Sequence, residues 1–185
     1  GGISDTFLGN LTEGILSRSN VTTYIYHPFQ PISTIKRHIV IVPENAENEI
    51  GFPFWLVKIW NIAQNTGAKI IFYSSESTRK LTNDICVRHP INIEFREFKN
   101  WDKFLNLSNE IKSDDNLVII LSRKNYISYQ SGMNEIPTFL NTYFKENNFL
   151  LVYPIQFYTI GNQKVDLNNP SLLETIEKID IIGKT

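Results

Sequence analysis

Cys86 is the only cysteine in the chain, so no disulfide can form within it, and the sequence fits a reducing compartment. Neither sign of charge dominates. The 18 Lys and Arg stand against 19 Asp and Glu, a formal net charge of -1, which argues against nucleic acid as a partner. No apolar stretch approaches the ~18 residues of a bilayer-crossing helix, so the piece reads as soluble. The motifs G-x-S-x-G, G-x-x-x-x-G-K-[ST], H-E-x-x-H and G-x-G-x-x-G are all missing, and with them the common hydrolase, P-loop, zinc-protease and dinucleotide signatures. His27, His38 and His89 share no metal-ligand spacing, so no metal is expected. There is no initiator Met and no signal peptide; the opening at Gly1-Gly2 reads as a piece cut by design from a longer polypeptide.

What is present is ordinary globular composition, 42% hydrophobic and 20% charged, over 185 residues. That length allows one domain and part of another. Apolar Phe7, Leu8, Leu11, Ile15 and Leu16 recur at helical spacing over residues 7–19. Val21-Thr22-Thr23-Tyr24-Ile25-Tyr26 is β-branched and aromatic, a strand. His27-Pro28-Phe29-Gln30-Pro31-Ile32-Ser33-Thr34, with two prolines, reads as an extended linker.

A regular alternation begins at Ile35. His38-Ile39-Val40-Ile41-Val42, Ala68 to Tyr73, Leu117-Val118-Ile119-Ile120-Leu121 and Phe149-Leu150-Leu151-Val152-Tyr153 are apolar runs, the mark of strands buried on both faces. Ile91-Asn92-Ile93-Glu94-Phe95 alternates instead, which suits a sheet edge. Between the strands lie helical patterns. One carries Phe54, Trp55, Val57, Ile59, Ile62 and Ala63, with Gly67 as its C-terminal cap. The next runs over residues 76–85, with Ser75 as N-cap. A third is marked by Trp101, Phe104, Leu105 and Ile111, and a fourth covers residues 136–145. Five strands separated by helical crossovers predict a doubly wound α/β fold with a mainly parallel five-stranded sheet. A further short helix is expected near Pro170.

The chain also resembles itself. Sliding Leu8 onto Asn134 lays residues 8–30 over residues 134–156, helix on helix and strand on strand, with Pro28 on Pro154 and Gln30 on Gln156. Residues 1–34 then read as the last helix and strand of a truncated first unit plus a linker. Residues 35–157 are a complete second unit, and residues 158–185 a tail with a short helix.

Leu8-Gly9-Asn10-Leu11-Thr12-Glu13-Gly14-Ile15-Leu16, followed by a strand, resembles the end of a universal stress protein domain, with Gly9 and Asn10 where that family opens its last helix. The alternation over residues 35–157 resembles the same three-layer α/β/α fold, shared with adenine nucleotide alpha hydrolases. The segment Pro28-Phe29-Gln30-Pro31-Ile32-Ser33-Thr34-Ile35-Lys36-Arg37, then a strand, then Pro43-Glu44-Asn45-Ala46-Glu47, resembles the junction between tandem copies in the cytosolic region of bacterial sodium/proton (monovalent cation/proton) antiporters. The resemblance implies a cytosolic regulatory domain at the inner membrane of a bacterium. Its partner is the transmembrane part of the same polypeptide, and it carries no catalysis. A free-standing nucleotide-binding stress protein, or an enzyme of the related hydrolase fold, are the alternatives.

Nucleotide-binding members of that family place an acidic residue after the first strand against the adenosine, and wrap phosphates in a glycine loop after the fourth. Here the first strand ends Val42-Pro43-Glu44, and Pro43 has no N–H. Ser122-Arg123-Lys124-Asn125-Tyr126 follows the fourth, with no glycine before Gly132. Where Gly9-Asn10 opens the first helix, the second unit has Glu135-Ile136, whose carboxylate repels phosphate. ATP or AMP is therefore expected in the first unit at most, and no cofactor in the second.

Ser122, Arg123, Lys124 and Asn125 lie where α/β folds bind ligands, so they form a candidate anion site, the alternative being a solvated loop. Cys86, with no Cys-x-x-Cys partner, reads as a buried thiol. Trp55, Trp101, Phe52, Phe54 and Phe104 read as core, and Trp60 lies off their stripe, where an exposed ring would mark a protein contact. The strands at residues 21–26 and 149–153 are expected to pair, within one chain or across a two-fold axis, and a homodimer is expected.

Overall fold

The computed structural model describes residues 21–89, 91–160 and 163–165. The expected helices at residues 7–19 and near Pro170, together with Gly9 and Asn10, lie outside these.

The strands are β1 (Thr23–His27), β2 (Arg37–Ile41), β3 (Lys69–Ser74), β4 (Ile93–Glu97), β5 (Asp115–Ile120) and β6 (Asn148–Tyr153), followed by a small separate hairpin, β7 (Tyr158–Ile160) with β8 (Gln163–Val165). The α-helices are α1 (Phe52–Thr66), α2 (Glu76–Arg88) and α3 (Ile136–Tyr143). The main sheet has six strands in the order β1-β6-β5-β2-β3-β4, parallel except for β1, which runs antiparallel to β6. This is an α/β fold, and the expected count of five strands is corrected to six. The five read from residues 35–157 are there, and β1 adds to their edge because its register with β6 satisfies backbone groups an edge strand would leave bare.

Period-two alternation divides the core. Ile39, Ile41, Leu117 and Ile119 face one cluster, with Trp101, Phe104, Ile136 and Leu140. Val40, Val42, Val118 and Ile120 face the other, with Phe52, Trp55, Leu56, Ile59 and Ala63 of α1 and Ile85 of α2. Helical segments thus cover both faces, which is why residues 39–42, 117–121 and 149–153 are apolar without interruption. Each large side chain so buried contributes about 1.5–3 kcal/mol.

Local signals worked as chemistry predicts. Gly67 closes α1 at φ 69°, a left-handed conformation that costs glycine nothing, with its N–H bonded to the Ala63 carbonyl. Ser75 caps α2, its hydroxyl accepting from the Thr78 N–H. The alternating strand β4 does end the sheet. Three expectations shift. The segment marked by Trp101 and Phe104 is a 3-10 helix, Trp101–Asn109, rather than an α-helix. The helix expected to reach residue 145 ends at Tyr143. Trp60 is buried, its ring N–H donating to the His89 carbonyl at 3.4 Å, and the exposed ring is Phe54 on the first turn of α1.

The strands at residues 21–26 and 149–153 pair within the chain. The register matches the internal repeat. The offset that lays Leu8 on Asn134 lays Ile25 on Leu151, and Ile25 pairs with Leu151. Tyr24 pairs with Val152 and Tyr26 with Leu150, so repeat-related residues exchange places about a centre in mid-strand. The segment after β1 is pinned to the same unit. The buried Asn148 accepts from the N–H groups of Phe29 (2.7 Å) and Gln30 (2.8 Å) and donates to the Gln30 carbonyl (2.8 Å). His27 stacks on Phe149 at 4.5 Å.

Candidate functional site

From β2 the chain crosses to β3 on one side, and later returns to place β5 on the other. The loops leaving the carboxyl ends of β2 and β5 therefore diverge, opening the crevice where such sheets bind ligands. The four candidate residues all lie in the loop after β5, and the structure separates them. Ser122 and Arg123 are buried, whereas Lys124 and Asn125 are exposed, Asn125 with a left-handed φ of 77°. Only 6% of Arg123 is exposed, so at this residue the solvated-loop alternative fails.

Arg123 points into the protein. Its backbone N–H donates to Gln156 Oε1 at 2.9 Å and its Nη1 to the same oxygen at 3.4 Å and to the Pro154 carbonyl. Its guanidinium lies 6.0 Å from the centre of the Tyr153 ring. Burial lowers its pKa, opposed by Tyr126, Tyr153 and Glu49.

The centre of the cluster is a pair of side chains that sequence reasoning missed as site residues, Glu49 and Gln156. Glu49, 7% exposed, accepts from the Ser128 N–H at 3.0 Å on Oε1 and from Gln156 Nε2 at 2.5 Å on Oε2. Gln156 Nε2 also donates to Ser122 Oγ at 2.7 Å. Burial raises the Glu49 pKa, and its bonds to Ser128 and Gln156 and the nearby Arg123 pull it back. Glu47, two residues earlier, is buried on the α2 side of the same turn and accepts from Thr78 Oγ1 at 2.7 Å. The turn Ala46–Asn48 thus sends one carboxylate to each side of the sheet edge, and the left-handed Asn45 (φ 70°) starts it.

A phosphate held in this crevice would need backbone N–H groups from the loop after β5. Four are committed to protein acceptors: Arg123 to Gln156, Tyr126 to the Arg123 carbonyl, Ser128 to Glu49 and Tyr129 to the Tyr126 carbonyl. Above β2, the Val42 N–H is bonded to Tyr73 and Pro43 has none.

The remaining candidates fall elsewhere. His38, near the amino end of the central strand β2, is buried between Thr66 Oγ1 (2.9 Å) and Asn116 Nδ2 (3.1 Å), and burial lowers its pKa to about 4. Cys86 is half-buried, its thiol pushed up to about 12 by burial, which leaves little nucleophilic thiolate at neutral pH. Among the described residues no group of three His, Cys, Asp or Glu side chains could hold a metal, and no helix is long and apolar enough to cross a membrane. No protein-family model matches the chain, and neither does any curated protein or solved structure.

Proposed function

We propose that the chain is a universal stress protein-like regulatory piece of the cytosolic region of a bacterial cation/proton (sodium/proton) antiporter, acting by partner contact or ligand sensing rather than catalysis. In this reading residues 35–157 are the second of two tandem units, and β1 with the segment before it closes the first. The observation that carries the tandem reading is the pairing of Ile25 with Leu151, because two copies of one fold that meet through the same edge strand across a two-fold axis pair those strands antiparallel about a shared centre. The mainly parallel sheet with helices on both faces supports the same reading. The proton and cation chemistry belongs to the transmembrane part, and no residue here takes part in it.

The coding sequence upstream of Gly1 tests this first. It should encode another alternating α/β unit, preceded by about ten or more apolar spans of ~20 residues. Its absence removes the proposal. The whole protein in vesicles should then exchange sodium for protons, and deleting residues 35–157 should change the rate or set point of exchange without abolishing it.

A further inference from the structure

The donors around Glu49 are those that bind a small anion: a backbone N–H (Ser128), an amide NH2 (Gln156) and a guanidinium beyond it (Arg123). Both carboxylate oxygens of Glu49 act as acceptors, the pattern of the ionised form. The partners come from distant parts of the chain, 79 and 107 residues from Glu49. They converge at the one position of the sheet where the topology opens a crevice. Glu49 itself comes from the opposite loop, and that loop is pressed tightly onto the exit of β6. A Cβ on Gly51 would lie 2.4 Å from the Ile155 carbonyl oxygen.

We infer that Ser128 N–H, Gln156 Nε2 and Arg123 form an anion-binding site for carboxylate or phosphate groups, and that the Glu49 carboxylate is its built-in occupant. The chain carries its own ligand on the loop after β2, and an external anion enters only when that loop yields. This stands independently of the antiporter reading, since it needs only the geometry of residues 49, 122, 123, 128 and 156.

Chemical rescue of the 185-residue chain tests it. Glu49→Ala leaves the donors bare, so formate and inorganic phosphate, each titrated separately, should raise its melting midpoint, by about 3 °C once the anion is several-fold above its dissociation constant. The wild-type midpoint should not move. Rescue by formate alone marks a carboxylate site, and rescue by both marks a general anion site. Should Glu49→Ala not fold, Glu49→Gln, which keeps the volume and loses the charge, takes the same titrations and is expected to shift in the same direction by less. A folded variant whose midpoint neither anion moves overturns the inference. So does a wild-type chain that binds phosphate as tightly as the variant.

Discussion

The two ends of the sheet carry buried polar clusters of similar size and different construction. At the amino end, Arg37 and Asp115 face each other across the β2/β5 register, with Arg37 Nε and Nη2 donating to the carboxylate at 2.9 and 2.7 Å. His38 and Asn116, the next register pair, bond to each other, and the ring reaches Thr66 at the end of α1. The Arg37–Asp115 and His38–Asn116 contacts join residues that the strand register already makes neighbours. At the carboxyl end, Glu49, Ser128 and Gln156 come from three separate loops, and the sheet only brings those loops near one another. The first arrangement staples the scaffold. The second is a set of convergent groups held by mobile kinds of structure, which is where α/β folds put their ligand chemistry.

The largest effect should come from breaking the amino-end staple. Asp115 is fully buried, and Asp115→Ala takes the carboxylate from Arg37, which keeps only the Glu110 carbonyl, and the acceptor from the Lys112 N–H, for a loss of about 3–4 kcal/mol in denaturant unfolding. An equal loss from Glu94→Ala, an exposed pair, would erase the distinction. Next is the pH dependence set by His38. Its folded pKa of about 4 lies below the ordinary 6.5, so the unfolded chain takes up the proton first. The neutral, buried ring therefore contributes fully above pH 6.5, and stability falls as pH drops from 6.5 to about 4, by about 3 kcal/mol in all. A His38→Asn variant with the same slope in that window would remove His38 as its cause.

At the carboxyl end, Gly51→Ala should cost about 2 kcal/mol, because the new methyl group meets backbone at Ile155 rather than a side chain that can swing away. The same variant should loosen the loop that carries Glu49, seen as faster hydrogen exchange at the Ser128 amide. The smallest effect belongs to the rim of the sheet. Glu94 pairs with Lys69 at 2.9 Å and Arg96 at 3.2 Å, all of them more than a third exposed, and Glu94→Ala should leave the denaturant midpoint nearly unchanged.

The scaffold was legible because its signals are local. Uninterrupted apolar runs marked β2, β3, β5 and β6, alternation placed β4 at an edge, and Ser75 and Gly67 marked helix ends by their own backbone chemistry. The internal repeat even anticipated that residues 21–26 and 149–153 belong together. What stayed open was whether that pairing falls within one chain, which makes β1 the sixth strand of the sheet, and what escaped was the 3-10 character of Trp101–Asn109, which no period in the apolar residues reveals. Of the crevice cluster, Ser122 and Arg123 were singled out from their place after an apolar strand, which is a topological rule. Glu49 and Gln156 were not. An acidic residue in a polar loop and a glutamine beyond a strand carry no mark of burial, and only tertiary convergence makes them partners. Trp60 misled for a similar reason, since it is buried in the core cluster on its side of the sheet although it lies off the stripe its helix shows in sequence.

The central claim is that the crevice above β2 and β5 is filled by the chain's own side chains. Titration calorimetry of ATP into the intact chain tests it most directly. No heat beyond dilution is predicted through the micromolar range, because the donors a phosphate needs are held by Glu49, Gln156 and the loop itself. Saturable micromolar binding that survives Lys124→Ala and disappears in Arg123→Ala would contradict it.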